Sequence, residues 1–269
     1  MYYETATNKL LSAYRDIFKS KGNTPDWAYH KIDSDDLIHC SIPFVGKKYF
    51  EQPIKILVYA SAENLSNYDG HIDDDTKAID RHRYTFEETK ASRFFPNVHI
   101  QPFNNGALVL CAGYILSKLS DLDAVTPAEF LETIAFANYG KYTIETGGSN
   151  FDYASDPEKL KESHEYIQAD IETLQPDYII MISQMYNGKG LQKSFIDNIK
   201  GHAKIIPIYQ ITPTTINNPK TFRRFPPIAL SELHPTLRKW YENFHAGAIS
   251  SDYFLSVFNY LENILESSK

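Results

Sequence analysis

The sequence has few cysteines, no long apolar run and no glycine-rich phosphate motif. Two cysteines among 269 residues are too few for a disulfide scaffold, a four-thiolate iron–sulfur cluster or a cysteine-rich zinc site. No apolar run approaches the roughly 20 residues that cross a bilayer, and the charged amino-terminal segment contains no signal-peptide core. The GxxxxGK[ST], GxSxG and GxGxxG patterns are also missing from the sequence. We therefore expect a cytoplasmic protein that uses no metal or cofactor.

Basic residues are concentrated in one part of an otherwise acidic chain. The chain has 27 basic and 34 acidic side chains, which give a formal net charge of −7. Residues 186–240 contain nine basic and two acidic side chains, so this stretch is +7 and the remainder is −14. Such asymmetry allows one positive surface that attracts a polyanion. A basic helix surface facing water explains the same count equally well.

Four short apolar segments, read as buried strands, alternate with helical patterns. The strands are predicted at 54–60, 133–138, 178–183 and 204–210. The helices are predicted at 5–19, 105–119, 156–174 and 194–200, with one or two more in 231–269. Near-continuous apolarity suits parallel strands that are covered on both faces. The pattern predicts the α/β class, as a three-layer α/β/α sandwich with a central, mainly parallel four-stranded sheet.

Polar residues follow the predicted strands, where sheets of this class bind ligands. Ser61–Asn64 come after the first strand, Asn138 ends the second, and Thr212 and Thr214 come after the fourth. Small residues let a backbone turn approach a ligand, Glu63 can act as a general base, and the Asn138 amide can read a base edge. Each feature alone also fits a solvated loop acid, a strand cap or an ordinary turn.

The order of these segments is more specific than any one of them. Ala135-Phe-Ala-Asn138-Tyr-Gly-Lys141 is a strand with a terminal Asn, and Leu174-Gln-Pro176-Asp-Tyr-Ile-Ile180 is a helix-to-strand junction. Over roughly residues 54–225 the chain resembles the uracil-DNA glycosylase superfamily. Members of that family have a base-reading Asn, an L-K-P-x-x-I junction, a first motif of the type G-[QEM]-[DNA]-P and a later H-P-S or N-P-S motif. Because the sequence has no repeat, low-complexity tract or linker, we expect a single domain over residues 1–269 of the kind that the resemblance implies, with helical extensions at both ends.

The chain departs from the family pattern at the two motifs that carry the chemistry. Ala62 stands where many members have the water-activating Asp, and Glu63 stands at the Pro. Asn64 takes the position of the Tyr that closes the pocket of uracil-specific members to a 5-methyl group. Thr212 replaces the His of the later motif, and His234-Pro-Thr236 is a second candidate that ranks lower because Pro commonly begins a helix.

The resemblance implies a monofunctional DNA glycosylase that hydrolyses the N-glycosidic bond of a flipped-out pyrimidine and leaves an abasic site. Loss of the Tyr wall favours a non-standard or 5-modified pyrimidine, and defence against modified viral DNA is a role that such a substrate would fit. Catalysis is assigned to Glu63, Asn64 and Thr212. The pocket is assigned to Ser61, Ala62, Phe103, Asn138 and Tyr84. Phosphate contacts are assigned to Lys189, Thr214, Lys220, Arg223 and Arg224.

Two alternatives stay open from the sequence. One is a catalytically inactive nucleic-acid-binding module of the same fold. The other is a nucleotide or small-molecule hydrolase, in which the basic residues would be scattered over the surface. The glycosylase and the inactive module would both bind DNA, whereas the small-molecule hydrolase would not. We expect a monomer that does not bind a membrane.

Overall fold

A five-stranded sheet forms the centre of the fold. The computed structural model describes residues 2–21, 42–62, 105–120, 127–141, 157–182, 186, 191–208, 226–244 and 251–267. The strands are β1 (Phe44–Val45), β2 (Ile56–Ala62), β3 (Ala135–Gly140), β4 (Tyr178–Ile182) and β5 (Lys204–Ile208). Their order is β1-β3-β2-β4-β5, and every neighbouring pair is parallel except β1 with β3. The mixed α/β class and the mainly parallel sheet are confirmed, whereas the predicted count of four strands is wrong.

The additional strand, β1, has only two residues, too few for its sequence to show a strand pattern. Both residues are buried and pair with the first two residues of β3. The next residue, Gly46, donates its backbone N–H to the carbonyl of Ile134 at 2.9 Å. A Cβ on Gly46 would lie 2.3 Å from the carbonyl carbon and oxygen of Glu132, so the close approach of the two chain segments requires glycine.

The helices follow most of the predicted pattern. In the described segments they are α1 (Tyr3–Lys21), α2 (Asn105–Leu119), α3 (Pro127–Leu131), α4 (Pro157–Leu160), α5 (His164–Leu174), α6 (Leu191–Ile199), α7 (Pro235–Phe244) and α8 (Ser251–Glu266). The prediction over 105–119 is confirmed at both ends. The helix predicted over 156–174 is divided by a 3-10 turn at Lys161–Ser163. The sequence pattern does not indicate α3, which is only five residues long.

The first two long strands lie two residues further along the chain than predicted. Residues 133–134 still donate their backbone N–H groups to carbonyls at the end of α3, so the strand cannot begin there. Because β2 is displaced by two residues, Ser61 and Ala62 are its last residues and not part of a loop. Asn138 is the fourth of the six residues of β3, and the prediction that it ends the strand is wrong.

α5 runs antiparallel to the strands, from the carboxyl edge of the sheet to the amino edge. Before its first residue, the hydroxyl of Ser163 accepts the backbone N–H of Lys141, which follows β3, at 2.9 Å. After its last turn, Gln175 adopts a left-handed φ of 46°, which ends the helix. Asp177 then accepts the backbone N–H of Lys55, next to β2, at 2.7 Å. Both ends of α5 are therefore tied to neighbouring strands.

The helices form two groups by their contacts. In the first group, Tyr14 of α1 packs edge-on against Tyr166 of α5, with ring centroids 4.8 Å apart, and α6 packs beside α5. In the second group, Tyr114 of α2 stacks on Phe258 of α8 at 4.8 Å, and α7 packs beside α2. Lys118 of α2 and Glu262 of α8 also form a half-exposed ion pair at 2.8 Å.

Tyrosine provides most of the large side chains in the core. Among the residues that the structure describes, seven of the eight largest fully buried side chains are tyrosines, and the eighth is Trp240. A buried phenol needs a hydrogen-bond partner, so a core of this kind brings polar groups inside with it. Of the helices in the described ranges, none has the length and apolar character needed to cross a membrane.

Candidate functional site

The carboxyl ends of the four parallel strands lie at one edge of the sheet. β2 and β3 pair as far as Ala62 and Gly140, and β4 and β5 pair as far as Ile182 and Ile208. The chain passes from β2 to β3 on one side and then returns across β2 to β4 on the other side. In doubly wound sheets a ligand binds outside the strand ends at such a reversal. This edge is therefore where a site is expected.

Three of the predicted site residues fall within the described segments. Ser61 and Ala62 are described as backbone positions of β2, and Asn138 is described with its side chain. The other ten lie outside the described residues: Glu63, Asn64, Tyr84, Phe103, Lys189, Thr212, Thr214, Lys220, Arg223 and Arg224. Their predicted roles stay predictions.

Asn138 lies next to β2 near the carboxyl edge. Its Cα is paired with that of Ala60, two residues before the end of β2, and its side chain is half-buried. Side chains alternate between the faces of a strand, so Asn138 shares a face with Phe136, opposite the face of Tyr139. The residue beside it on β2, Ala60, has a small side chain, and paired residues on neighbouring strands point to the same face of the sheet.

A buried polar network lies on the opposite face of the same two strands, and the sequence reading did not identify it. Lys141 Nζ lies 2.8 Å from Asp170 Oδ2 of α5, with side chains 2% and 0% exposed. The hydroxyl of Tyr59 on β2 donates to Asp170 Oδ2 at 2.8 Å, and that of Tyr14 on α1 donates to Oδ1 at 2.7 Å. The ammonium also lies over both rings, 5.4 Å from the Tyr14 centroid and 5.5 Å from the Tyr59 centroid. We call Lys141, Asp170, Tyr14 and Tyr59 the buried network.

Burial and hydrogen bonding act in opposite directions on the carboxyl group of this network. Burial raises the pKa of Asp170 above its ordinary value, while Lys141 and the two tyrosine hydroxyls favour the carboxylate and limit the rise. Burial, with the nearby Asp170 carboxylate, raises the pKa of Tyr59 well above its ordinary value. Tyr59 therefore keeps its proton at neutral pH and donates it in a hydrogen bond to Asp170.

One signal in the sequence points to the buried network. Tyr166, Ile167, Ile171 and Leu174 recur at helical spacing and are buried, and Asp170 lies among them on the same apolar face. A carboxylate in that position needs a buried cation or several donors. The sequence does not reveal which residues supply them, because Lys141 is 29 residues away and Tyr14 is 156 residues away.

A second network of the same residue types lies at the surface of α6. Lys193 Nζ lies 2.7 Å from Asp197 Oδ2, with side chains 49% and 32% exposed. The hydroxyl of Tyr186 donates to Asp197 Oδ1 at 3.1 Å and accepts from Lys193 at 2.9 Å. Hydrogen bonds from Lys193 and Tyr186 lower the pKa of Asp197 despite its partial burial. We call Lys193, Asp197 and Tyr186 the exposed network.

The described basic residues of the +7 stretch lie at three places in the fold, at α6, at the start of β5 and on α7. Lys193 lies in the first turn of α6 and Lys200 follows its last residue, and both pair with Asp197. Lys204 begins β5 at the amino edge, away from the candidate site. The remaining two, Arg238 and Lys239, lie on α7 in the other helix group. A single positive surface would depend on the four basic residues outside the described segments.

The second candidate for the later motif has a structural explanation. Pro235 is the first residue of α7, as expected for Pro that begins a helix. The carbonyl of His234 accepts the backbone N–H of Arg238 at 2.9 Å, and the His234 side chain is exposed. These features favour a role for His234 at the start of the helix.

Thiol and metal chemistry find no support in the described part of the chain. Burial raises the pKa of Cys111 to about 12, so this thiol is not a nucleophile at neutral pH. No group of three or more metal-ligating side chains occurs among the described residues.

Comparisons with protein families, with curated proteins and with solved structures find no significant match to this chain.

Proposed function

We propose that the chain is a monofunctional DNA glycosylase that removes a non-standard or 5-modified pyrimidine from DNA. The finer architecture belongs to the same proposal: one domain, in which the two helix groups cover opposite faces of the sheet as a three-layer α/β/α sandwich. The observation that carries the proposal is the position of Asn138. It is a half-buried amide near the carboxyl edge of β3, beside a small residue of β2 and close to the reversal of strand order.

In the proposed reaction the target nucleotide leaves the duplex, at a cost of a few kcal/mol, and its base enters the pocket. Phe103 or Tyr84 stacks on the base, and the Asn138 amide donates to and accepts from its edge. The bond between C1′ and the base breaks, and the base leaves with the bonding electrons. A water molecule oriented by Glu63 forms a bond from its oxygen to C1′. The proton that this water loses neutralises the base anion.

Donors at the end of β2 and after β5 support departure of the base. Backbone N–H groups near Ser61 and Ala62, with the Thr212 hydroxyl, stabilise the developing negative charge. Asn64 replaces an aromatic wall and leaves room for a substituent at the 5-position. Phosphate contacts come from Lys189, Thr214, Lys220, Arg223 and Arg224. A substrate of this kind suits a role in defence against viruses whose DNA carries modified bases.

A nucleotide or small-molecule hydrolase is the second candidate. It is favoured by the distribution of the described basic residues over α6, the amino end of β5 and α7. A DNA enzyme gains from a continuous positive surface, whereas a hydrolase of small substrates does not need one.

The proposed function is tested with oligonucleotides that each carry one target base. The targets are uracil, thymine, a 5-hydroxymethylated pyrimidine and the same base carrying a sugar, in single- and double-stranded DNA. Alkali-labile strand breaks report abasic sites. We expect breaks at a 5-modified base, with binding that weakens steeply as salt is raised. Preference for plain uracil would overturn the assignment of the open pocket.

Two variants identify the site in this experiment. Asn138→Ala is expected to lower excision by about 10- to 100-fold, because a bidentate amide contact with a base edge is worth about 1–3 kcal/mol. Glu63→Gln is expected to abolish turnover while DNA binding is retained. DNA binding without breaks at any base would support the inactive module. Hydrolysis of free nucleotides without DNA binding would support the second candidate.

A further inference from the structure

Lys141, the first residue after β3, is held at both its backbone and its side chain. Its N–H donates to the hydroxyl of Ser163 at 2.9 Å, and its ammonium lies 2.8 Å from the carboxylate of Asp170. Both partners belong to the segment that forms and precedes α5. The backbone position where β3 leaves the sheet is therefore set by α5 as well as by the neighbouring strand.

The carboxyl half of β3 needs such an anchor. β1 pairs only with the first two residues of β3, so in the described part of the chain β2 alone pairs with residues 137–140. A strand end held from one side can twist and shift more freely than one held from both sides. Asn138 lies in this half, three residues before Lys141.

An ion pair with almost no exposed surface is a costly way to stabilise a fold. Removing two charges from water can cost more than their attraction returns, and an apolar pair of similar volume is often as stable. What the buried network supplies is a defined geometry. Asp170 accepts from Lys141 after β3, from Tyr59 on β2 and from Tyr14 on α1, so one carboxylate connects both strands to two helices.

We infer that Lys141 is a positioning residue, which, through its ion pair with Asp170, holds the carboxyl end of β3 where the Asn138 amide meets the bound base. The amino-terminal helix α1 takes part in the same device through Tyr14. This inference rests on the proposed function, because it assigns a purpose to the position of Asn138. Lys141 itself lies on the opposite face of β3 and does not contact the base.

The test uses a charge-neutral pair, Lys141→Met with Asp170→Asn. The side-chain amide that this double variant introduces on α5 keeps an acceptor for one tyrosine hydroxyl and a donor for the other, and neither charge stays buried alone. The matched control is Lys118→Met with Glu262→Gln, which neutralises the half-exposed pair between α2 and α8. Asn-selective ¹⁵N labelling then follows the side-chain amide signals of Asn138, assigned by their loss in Asn138→Ala. The expected result is that these signals shift or broaden in the charge-neutral pair and stay unchanged in the control.

The kinetic readout is a double-mutant cycle on the base that the wild-type protein excises best. The charge-neutral pair is expected to lower kcat by about tenfold or more, because small misplacements of a binding group are costly. In the Asn138→Ala background the same change is expected to cost less than about twofold, since the two act through one contact. Equal losses in both backgrounds would show that the network acts elsewhere, and would overturn the inference.

The two proposals fail separately. If the wild-type protein excises no base, the proposed function is wrong. The Asn138 amide signals alone then test whether Lys141 and Asp170 fix the position of Asn138. Unchanged signals in the charge-neutral pair overturn it in every case. If the charge-neutral pair does not fold, Tyr14→Phe replaces it in both readouts, because that change removes only one hydroxyl from Asp170.

Discussion

The buried network and the exposed network contain the same residue types at nearly the same distances. Each has a Lys–Asp pair within 2.8 Å, a tyrosine hydroxyl bonded to the carboxylate and a lysine over a tyrosine ring. They differ in exposure: the side chains of Lys141 and Asp170 are 2% and 0% exposed, against 49% and 32% for Lys193 and Asp197. The pKa of Asp170 is raised, by burial, whereas hydrogen bonds lower that of Asp197.

From this difference we expect burial, more than the identity of the contacting groups, to determine how much each ion pair contributes to the fold. At the surface, water stabilises each charge when its partner leaves, so the pair contributes little. In the interior no water replaces a lost partner, so separating the members of the network leaves a buried charge uncompensated and is costly. The exposed network is typical of a local contact on one helix. The buried network is suited to fixing the positions of the strands and helices that it connects.

The largest difference is expected when the lysine is removed from each network. Lys141→Met leaves the Asp170 charge buried with only hydroxyl donors, and we expect it to lower the free energy of unfolding by about 3–5 kcal/mol. Lys193→Met is the matched control, for which no loss beyond experimental error is expected. Urea unfolding followed by circular dichroism measures both. Equal losses would show that burial does not separate the two networks.

A smaller difference is expected when one tyrosine hydroxyl is removed. Tyr14→Phe deletes one donor to the Asp170 carboxylate, and hydrogen bonds to charged groups are worth about 1.5–3 kcal/mol. The comparison is Tyr186→Phe, where solvent can reach Asp197 and the expected loss is smaller. The same unfolding measurement applies. If Tyr186→Phe were the more destabilising variant, the account of the buried network would be wrong.

The smallest effect expected is an opposite response of the two carboxyl groups to acid. Because the folded pKa of Asp170 is raised, wild type gains stability relative to Asp170→Asn as pH falls from that pKa towards the unfolded value of about 3.9. Because the folded pKa of Asp197 is lowered, its contribution is present above about pH 3.9 and is lost as pH falls through the folded pKa. Unfolding measured from pH 7 to pH 3 for wild type, Asp170→Asn and Asp197→Asn should give slopes of opposite sign. Slopes of the same sign would contradict the assigned environments.

Much of the fold could be predicted from local pattern. The strand at 178–182 is identified by its continuous apolar run and the helix at 105–119 by its length and apolar spacing, and both lie close to their predicted positions. β1 and α3 were missed, because two and five residues cannot show a period. Asn138 could be singled out as a polar residue at the end of an apolar run. Its position two residues before the end of β3 could not be predicted, because α3 and the turn that follows it move the start of the strand to Ala135.

The alternation of strands and helices follows from the amino-acid sequence alone, and with it the class of the fold and the edge at which a site is expected. Short-range periodicity carries that information, since each element depends mainly on its own neighbours in the chain. The meeting of Lys141, Asp170, Tyr14 and Tyr59 on the face opposite Asn138 depends on the packing of the fold and is visible only in the structure. Three of these residues lie in three different elements and Lys141 follows a fourth, so the partner of each buried charge is set by how the elements pack.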